Sequence, residues 1–280
     1  MAWHASLRLD YAHAAGRTVG RFQHSGPLRV LKALYPEGDA VCHHVLLHPP
    51  AGLISGDRLD IELQLKAQAH AVLTTPGATR WYRAKDPAAS DVATQSLRAT
   101  VAAGARLEWL PLETLIYDGA RAENLARITL APGASMIGWD LVALGLPAVD
   151  APFTTGWLDQ RIAIDGLWLE QGRIDAGDRL LLDSPLGLAG RRTLATLWLA
   201  WGEAPEEARV TRALEAAREL ADAAAPAVFA GATRAQPRLL VLRAVGERVE
   251  PLFALLRAVR AAWREAAWDL GANEPRIWGC

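Results

Sequence analysis

The chain has 280 residues, 51% hydrophobic and 22% charged, with a formal net charge of -1. That length and apolar content support a substantial core and exclude a disordered chain. The near-neutral balance excludes the basic footprint of a nucleic-acid binder. The longest basic run, Arg191-Arg192, is too short for a polybasic membrane patch.

The first two-thirds reads as short strands. Trp3, Ala5, Leu7 and Leu9 alternate with other residues, and Leu59, Ile61, Leu63 and Leu65 alternate with charged or amide ones. A period of two predicts strands with one buried face, the clearest over 57–66. Leu107 and Trp109 alternate with Arg106 and Glu108 in the same way. Ile162-Ala163-Ile164, Asp165-Gly166 and Leu167-Trp168-Leu169 predict a tight hairpin. Turn signals recur around Gly77, Gly104 and Gly133, which lie 27 and 29 residues apart. Such spacing fits coil-like rungs of a β-solenoid or a stacked two-sheet structure, and an ordinary sandwich gives similar turns.

Helices come late. Over 206–224, Val210, Leu214, Ala217 and Ala221 form one stripe, and Pro205 suits the helix start. Over 250–270, Leu252, Leu255, Leu256, Val259 and Trp263 form another, with Arg257, Arg260 and Arg264 on a different face. Leu239-Leu240-Val241-Leu242 between them reads as a buried strand. The expectation is one mainly β domain over 1–280, with strands mainly in 1–201 and helices at about 205–225 and 250–270. No linker-like stretch divides it.

The phosphate-binding loop, the dinucleotide-binding glycine turn, the nucleophile elbow and the H-E-x-x-H pair are all absent. Cys42, His43, His44 and His48 cluster, and imidazole and thiolate suit nickel, zinc or copper. In a strand, Cys42, His44 and His48 share one face and His43 takes the other. Hydrogen bonding within a sheet is the preferred account of them. A metal-dependent hydrolase using His44, His48 and nearby carboxylates is one alternative, and a carbohydrate-binding β-solenoid is another. Asp57, Asp60, Glu113, Asp118 and Asp140 sit near turns or aromatics. Carboxylates spaced along an interior suit a weak ion path, and the same residues also cap turns. Eleven tryptophans fill a core, and a few anchor partners. Exposed apolar area is expected near the helical part. Two cysteines, Cys42 and Cys280, predict reduced thiols in the cytosol. The N-terminus lacks the order of a signal peptide, and no run of about 18 uncharged apolar residues predicts a membrane span.

Six segments in order resemble the UreD (UreH) family of urease accessory proteins. They are the run from Gly26 to Gly38, His48-Pro49-Pro50-Ala51-Gly52 with Gly56-Asp57, and the run from Leu73 to Arg83. Glu108 to Thr114 with Asp118-Gly119-Ala120, Ile137-Gly138-Trp139-Asp140 and Pro275-Arg276-Ile277-Trp278 complete them. Ala51 and Ser55 stand where the family usually has glycine, Leu112 where glutamine is commoner, and Gly279-Cys280 where Ala-Thr is expected. The resemblance implies a β-helix-like stack of sheets with a small helical C-terminal part and no enzymatic activity. It implies transient nickel with no tightly bound cofactor, and UreF, the GTPase UreG and apo-urease as partners in the cytoplasm. The candidate nickel path is Asp57, Asp60, His44, His48, Glu113 and Asp140. The candidate partner contacts are Trp278, Arg276 and Trp263.

Overall fold

A computed structural model of the protein describes residues 2–50, 52–85 and 91–279. Strands β1 (His4–Ala14) and β2 (Arg17–Ser25) form an antiparallel hairpin, and β3 (Arg29–Val30) leads into β4 (Val41–Leu47). The chain then repeats one course. Strands β5 (Arg58–Leu65), β6 (His70–Thr74) and β7 (Thr79–Trp81) are followed by β8 (Ala93–Val101), β9 (Arg106–Leu110) and β10 (Thr114–Ile116). Next come β11 (Arg121–Leu130) and β12 (Ser135–Leu144), then the hairpin of β13 (Trp157–Ile164) and β14 (Trp168–Asp175). The rest is α1 (Arg179–Asp183), β15 (Thr193–Trp201), α2 (Glu207–Ala223), β16 (Val228–Gln236), β17 (Leu239–Gly246) and α3 (Val249–Trp268).

Two sheets result. The first has seven strands in the order β14-β13-β11-β8-β5-β1-β2. The second has ten, running β16-β17-β15-β12-β9-β6-β4-β3, with β10 and β7 branching from β12. Strands β1, β5, β8, β11 and β13 are parallel neighbours in the first sheet, and β4, β6, β9 and β12 in the second. Each coil therefore lays one strand on each sheet, and the coils stack as a β-solenoid. The predicted mainly β stack with a small helical C-terminal part is the fold observed.

The glycine spacing found half of this register. The corner between the sheets is a left-handed position held by Gln68, Gly104 and Gly133, at φ of 63°, 69° and 76°. These corners are 36 and 29 residues apart. Gly77 lies instead in the turn between β6 and β7, so the 27-residue interval joined two different corners. Gln68 hides the repeat because it takes positive φ without being glycine.

Two apolar layers follow from the architecture. Inward residues such as Leu7, Leu63, Leu97, Ile128 and Met136 pack between the sheets. Ile137, Leu141, Leu197, Leu256 and Trp263 pack between the far face of the second sheet and the helices. Strand β12 is covered on both faces, so all ten of its residues are buried, and its sequence shows no alternation. Seven of the eleven tryptophans are buried, in line with core filling. The helices fall where predicted. The hairpin at 165–167 has a three-residue loop instead of two, because Ile164 pairs with Trp168.

Three findings go beyond or against these expectations. The face of α3 that carries Arg260 and Arg264 is itself buried; they are 1% and 0% exposed. They meet Glu108 of β9 and Glu37, 152 and 227 residues away, so helical periodicity alone cannot reveal their partners. Arg260 Nε donates to Glu108 Oε2 at 2.7 Å, and its Nη2 lies 2.6 Å from the same oxygen, off the hydrogen-bond direction. Arg264 pairs with Glu37 and approaches Glu108 Oε1 at 3.5 Å. His70 Nε2 lies 3.0 Å from Glu108, and His43 Nε2 lies 2.7 Å from Glu37. Secondly, the large exposed apolar residues are not on α2 or α3 themselves, although Val149 and Phe229 lie beside these helices. These residues include Trp3, Phe22, Leu31, Leu34, Val149 and Phe229, on strands and connections. Thirdly, Trp263 is fully buried and donates to Ala213 O at 2.9 Å, so it cements α3 to α2 and presents nothing to a partner. Among the described residues, no helix is long and apolar enough to cross a membrane. Cys42 is a buried free thiol, and Ala51 and Cys280 lie outside the described residues.

Candidate functional site

The solenoid's interior is mostly apolar, and apart from the Tyr11–His44 contact its polar side chains among the described residues gather in a seam. In the first sheet Gln95 of β8, Asn124 of β11 and Gln160 of β13 stand directly in register on the inward face. In the second sheet Asp140 of β12, Thr196 of β15 and Arg243 of β17 do the same. The rows meet across the gap. Asn124 Nδ2 donates to Asp140 Oδ2 at 3.0 Å, and Gln160 Nε2 donates to the same oxygen. Gln95 Nε2 donates to Asn124 Oδ1 at 3.4 Å, and Thr196 Oγ1 donates to Glu170 of β14 at 3.4 Å. Parallel stacking makes the first row, since each coil repeats the same inward position one strand further along, and antiparallel pairing in register makes the second.

Asp140 is 8% exposed. Burial pushes its carboxyl up, the Gln160 bond opposes this, and the charge of nearby Glu170 adds to it; the result is about 6. Gly138, two residues earlier on the same face, lets Trp198 lie against β12, where a Cβ would come within 2.4 Å of Trp198 Cζ2. Trp198, Asp140 and Asn124 border a cavity of about 20 Å³, room for one water-sized particle. That cavity shares Thr79, Gln95, Trp109 and Pro111 with a larger one of about 300 Å³, which His48 also lines. The two cavities are thus neighbours, with His48 on the wall of the larger and Asp140 on the wall of the smaller.

The sequence candidates divide between this seam and other places. Asp140 is in the seam and His48 lines its approach. Burial lowers the His48 imidazole, Asp57 partly offsets this, and Nε2 is buried without a partner. His44 does face inward on β4 as alternation predicts, yet its Nδ1 lies 2.8 Å from Tyr11 Oη and 4.0 Å from Cys42 Sγ. Burial and neighbouring His43 lower it to about 4, so it is a neutral core group near pH 7. Asp57 accepts the Trp3 and Ile54 backbone N–H groups at 2.7 and 2.9 Å, which makes it a turn brace. Asp60 points to the outer face of β5. Burial raises its carboxyl, but Arg58, Ser96 and His4 outweigh that and hold it below the usual range. Glu113, between β9 and β10, lines a surface groove with Arg248, Phe253 and Trp278. Trp278 stacks on Trp139 at 5.4 Å and donates to Thr74 Oγ1 at 2.9 Å; Arg276 beside it is exposed. Among the described residues, no three His, Cys, Asp or Glu side chains converge as a metal cage. The fixed site that a metal hydrolase needs is therefore missing from them.

This arrangement is a pair of neighbouring cavities with one deep carboxylate, held by amides that lack nucleophilic character. A family model described as UreD urease accessory protein matches residues 4–279. The chain belongs to the UreD family. It is 51% identical over 280 residues to a urease accessory protein UreD of Leptothrix cholodnii, covering 99% of each chain. It is 50% identical to that of a Polaromonas species and 51% to that of Paracidovorax citrulli, again over 99% of each. This UreD-family chain is a urease accessory protein and not an enzyme. Its seam residues Gln95, Asn124, Gln160, Glu170, Thr196 and Arg243 escaped the sequence reading. The signal for several was there: Gln95, Asn124 and Gln160 each interrupt an inward row of alternating apolar residues.

Proposed function

We propose that the chain is a single-domain scaffold and nickel conduit in urease maturation, working in the cytoplasm with UreF, the GTPase UreG and apo-urease. Nickel is cargo here, held transiently and never as a resident cofactor. The observation that carries this reading is the polar seam around buried Asp140. Amide side chains that donate N–H to an empty carboxylate can turn to offer C=O to a cation. Oxygen ligands hold a divalent transition ion more loosely than thiolates do, which suits a path that must also release its ion. Handing nickel on inside a complex avoids competition with copper, which binds most sites more tightly.

The test has two parts. The folded chain is mixed with UreF, UreG and apo-urease, and co-purification is scored; failure to bind any of them removes the scaffold. Urease activation is then measured with Asn124→Leu and Gln160→Leu chains, which close the seam with apolar groups. Full nickel loading through both variants removes the conduit.

A further inference from the structure

One charge in the seam has no place in a simple passage. Arg243 occupies the third position of the second-sheet row, after Asp140 and Thr196, on the same strand face as core residues Leu239 and Val241. Its guanidinium pairs with Glu170, which faces it from β14 of the first sheet. Thr196 Oγ1 holds the other Glu170 oxygen at 3.4 Å. Exposure falls inward along this line. The Arg243 side chain is 62% exposed and that of Glu170 27%, while Asp140 is 8% exposed. The pair therefore stands between solvent and the buried carboxylate.

Glu170 has two claims on it. Toward the interior lies a second carboxylate, Asp140, the register neighbour of the Thr196 that bonds Glu170, and Glu170's charge acts on it; a cation between two such carboxylates relieves their repulsion. Toward the rim lies a permanent cation on a flexible stem, since an arginine stays protonated at any physiological pH. Arg243 sits on β17, one strand in from the sheet edge, so its side chain can swing toward solvent without disturbing the ladder. A half-exposed ion pair of this kind is held weakly enough to exchange.

We propose that Arg243 is an electrostatic gate on the seam: its guanidinium occupies Glu170 until a divalent cation reaching the Asp140–Glu170 pair displaces it. This rests on the conduit reading and assigns it a regulating residue. The gate keeps monovalent cations out, because one positive charge gains too little to replace another already in place. It also returns to Glu170 after transfer and so favours release of the ion.

Equilibrium dialysis of the purified full-length chain against Ni²⁺ tests it. Arg243→Gln is expected to tighten nickel binding by about tenfold, the change one nearby unit charge makes at a partly exposed site. Arg243→Lys retains the charge and is expected to stay within about twofold of wild type, by the same reasoning. Glu170→Gln is expected to weaken binding and to abolish the gain from Arg243→Gln. Melting curves establish that each variant is folded, and Arg243→Met repeats the test if the glutamine variant is not. Unchanged affinity in Arg243→Gln, with weaker binding in Asp140→Asn, overturns the gate and leaves the conduit standing. Unchanged affinity in Asp140→Asn as well overturns the conduit itself.

Discussion

Replacing Asp140 by asparagine should stabilise the protein and impair it at once. In the folded chain this carboxyl titrates at about 6, against a reference of 3.8. A folded value above the unfolded one means that the fold prefers the protonated acid. Below pH 4 both states hold the proton and nothing is lost. Between about 4 and 6 the unfolded chain ionises first, so stability falls; above 6 the loss is constant. A shift of about two pH units corresponds to about 3 kcal/mol, and about half of it is already present at pH 5. Both amide donors converge on Oδ2. An asparagine can therefore place its own oxygen there and keep both bonds. The difference between variant and wild type in denaturant unfolding should grow from about 1.5 kcal/mol at pH 5 to about 3 kcal/mol at pH 8. In melting this is roughly 6 °C for a chain of this size at the upper pH. Urease activation through the variant should fall across the same range. A variant that is less stable at pH 8, or a difference that does not change with pH, would refute the assignment of a strained buried carboxylate.

The charge cluster behind α3 should behave in the opposite sense. Burial raises the Glu108 carboxyl, but Arg260, the His70 bond and Arg264 outweigh it and hold it below the usual range; Glu37 is lowered likewise by His43 and Arg264. Their contribution is present above the unfolded carboxylate value and drains away as pH falls below about 4.5, which acid unfolding followed by circular dichroism will show. Glu108→Ala leaves Arg260 and Arg264 buried with too few partners and should cost about 3–5 kcal/mol in denaturant unfolding. Gly138→Ala places a methyl group against Trp198 and should cost about 1–3 kcal/mol, with urease activation impaired as the adjoining cavity distorts. Asp57→Ala frees two backbone donors and should lower stability by about 1–3 kcal/mol, with activation falling in proportion. A loss of activation at full stability would restore Asp57 to the ion path.

Local pattern made the solenoid legible where one face of a strand meets solvent. Strand β5 reads cleanly because Arg58, Asp60, Glu62 and Gln64 face water while Leu59, Ile61, Leu63 and Leu65 face the core. The same rule fails for β12, which is buried on both sides, and for β16, whose helix-facing Ala230 and Ala232 are small. Of the seam residues the sequence singled out Asp140 alone, with His48 on the neighbouring cavity. Asp140 stood out as a carboxylate beside a tryptophan in an apolar run. Its partners Asn124 and Gln160 are polar residues in separate strands, and only the parallel register brings them to one oxygen. Asp60 and His44 misled for the same reason in reverse. Residue type suggested ligation, while the face of the strand in one case and a tyrosine from β1 in the other had already claimed them.

The two polar systems divide the labour of the molecule. The seam lies between the sheets, and the arginine–glutamate cluster lies on the far face of the second sheet under α3. Neighbouring strands β9 and β12 serve one each: Glu108 points to the helices while Leu107 and Trp109 point inward, and Trp139 packs under α3 while Asp140 points into the seam. A period of two separates the functions by a single residue. The cluster is buried and ion-paired and fixes α3, whereas the seam is held by neutral amides and a half-exposed pair. A movement of α3 or of the Trp278 stack would press directly on Trp139, whose next neighbour in the chain is Asp140. If a docking protein covers the groove beside Trp278, this is the shortest physical route by which its arrival can alter the carboxylate. Phe253→Ala, which removes the ring standing between Trp139 and the groove, should therefore shift the nickel affinity of the seam while leaving every seam residue in place.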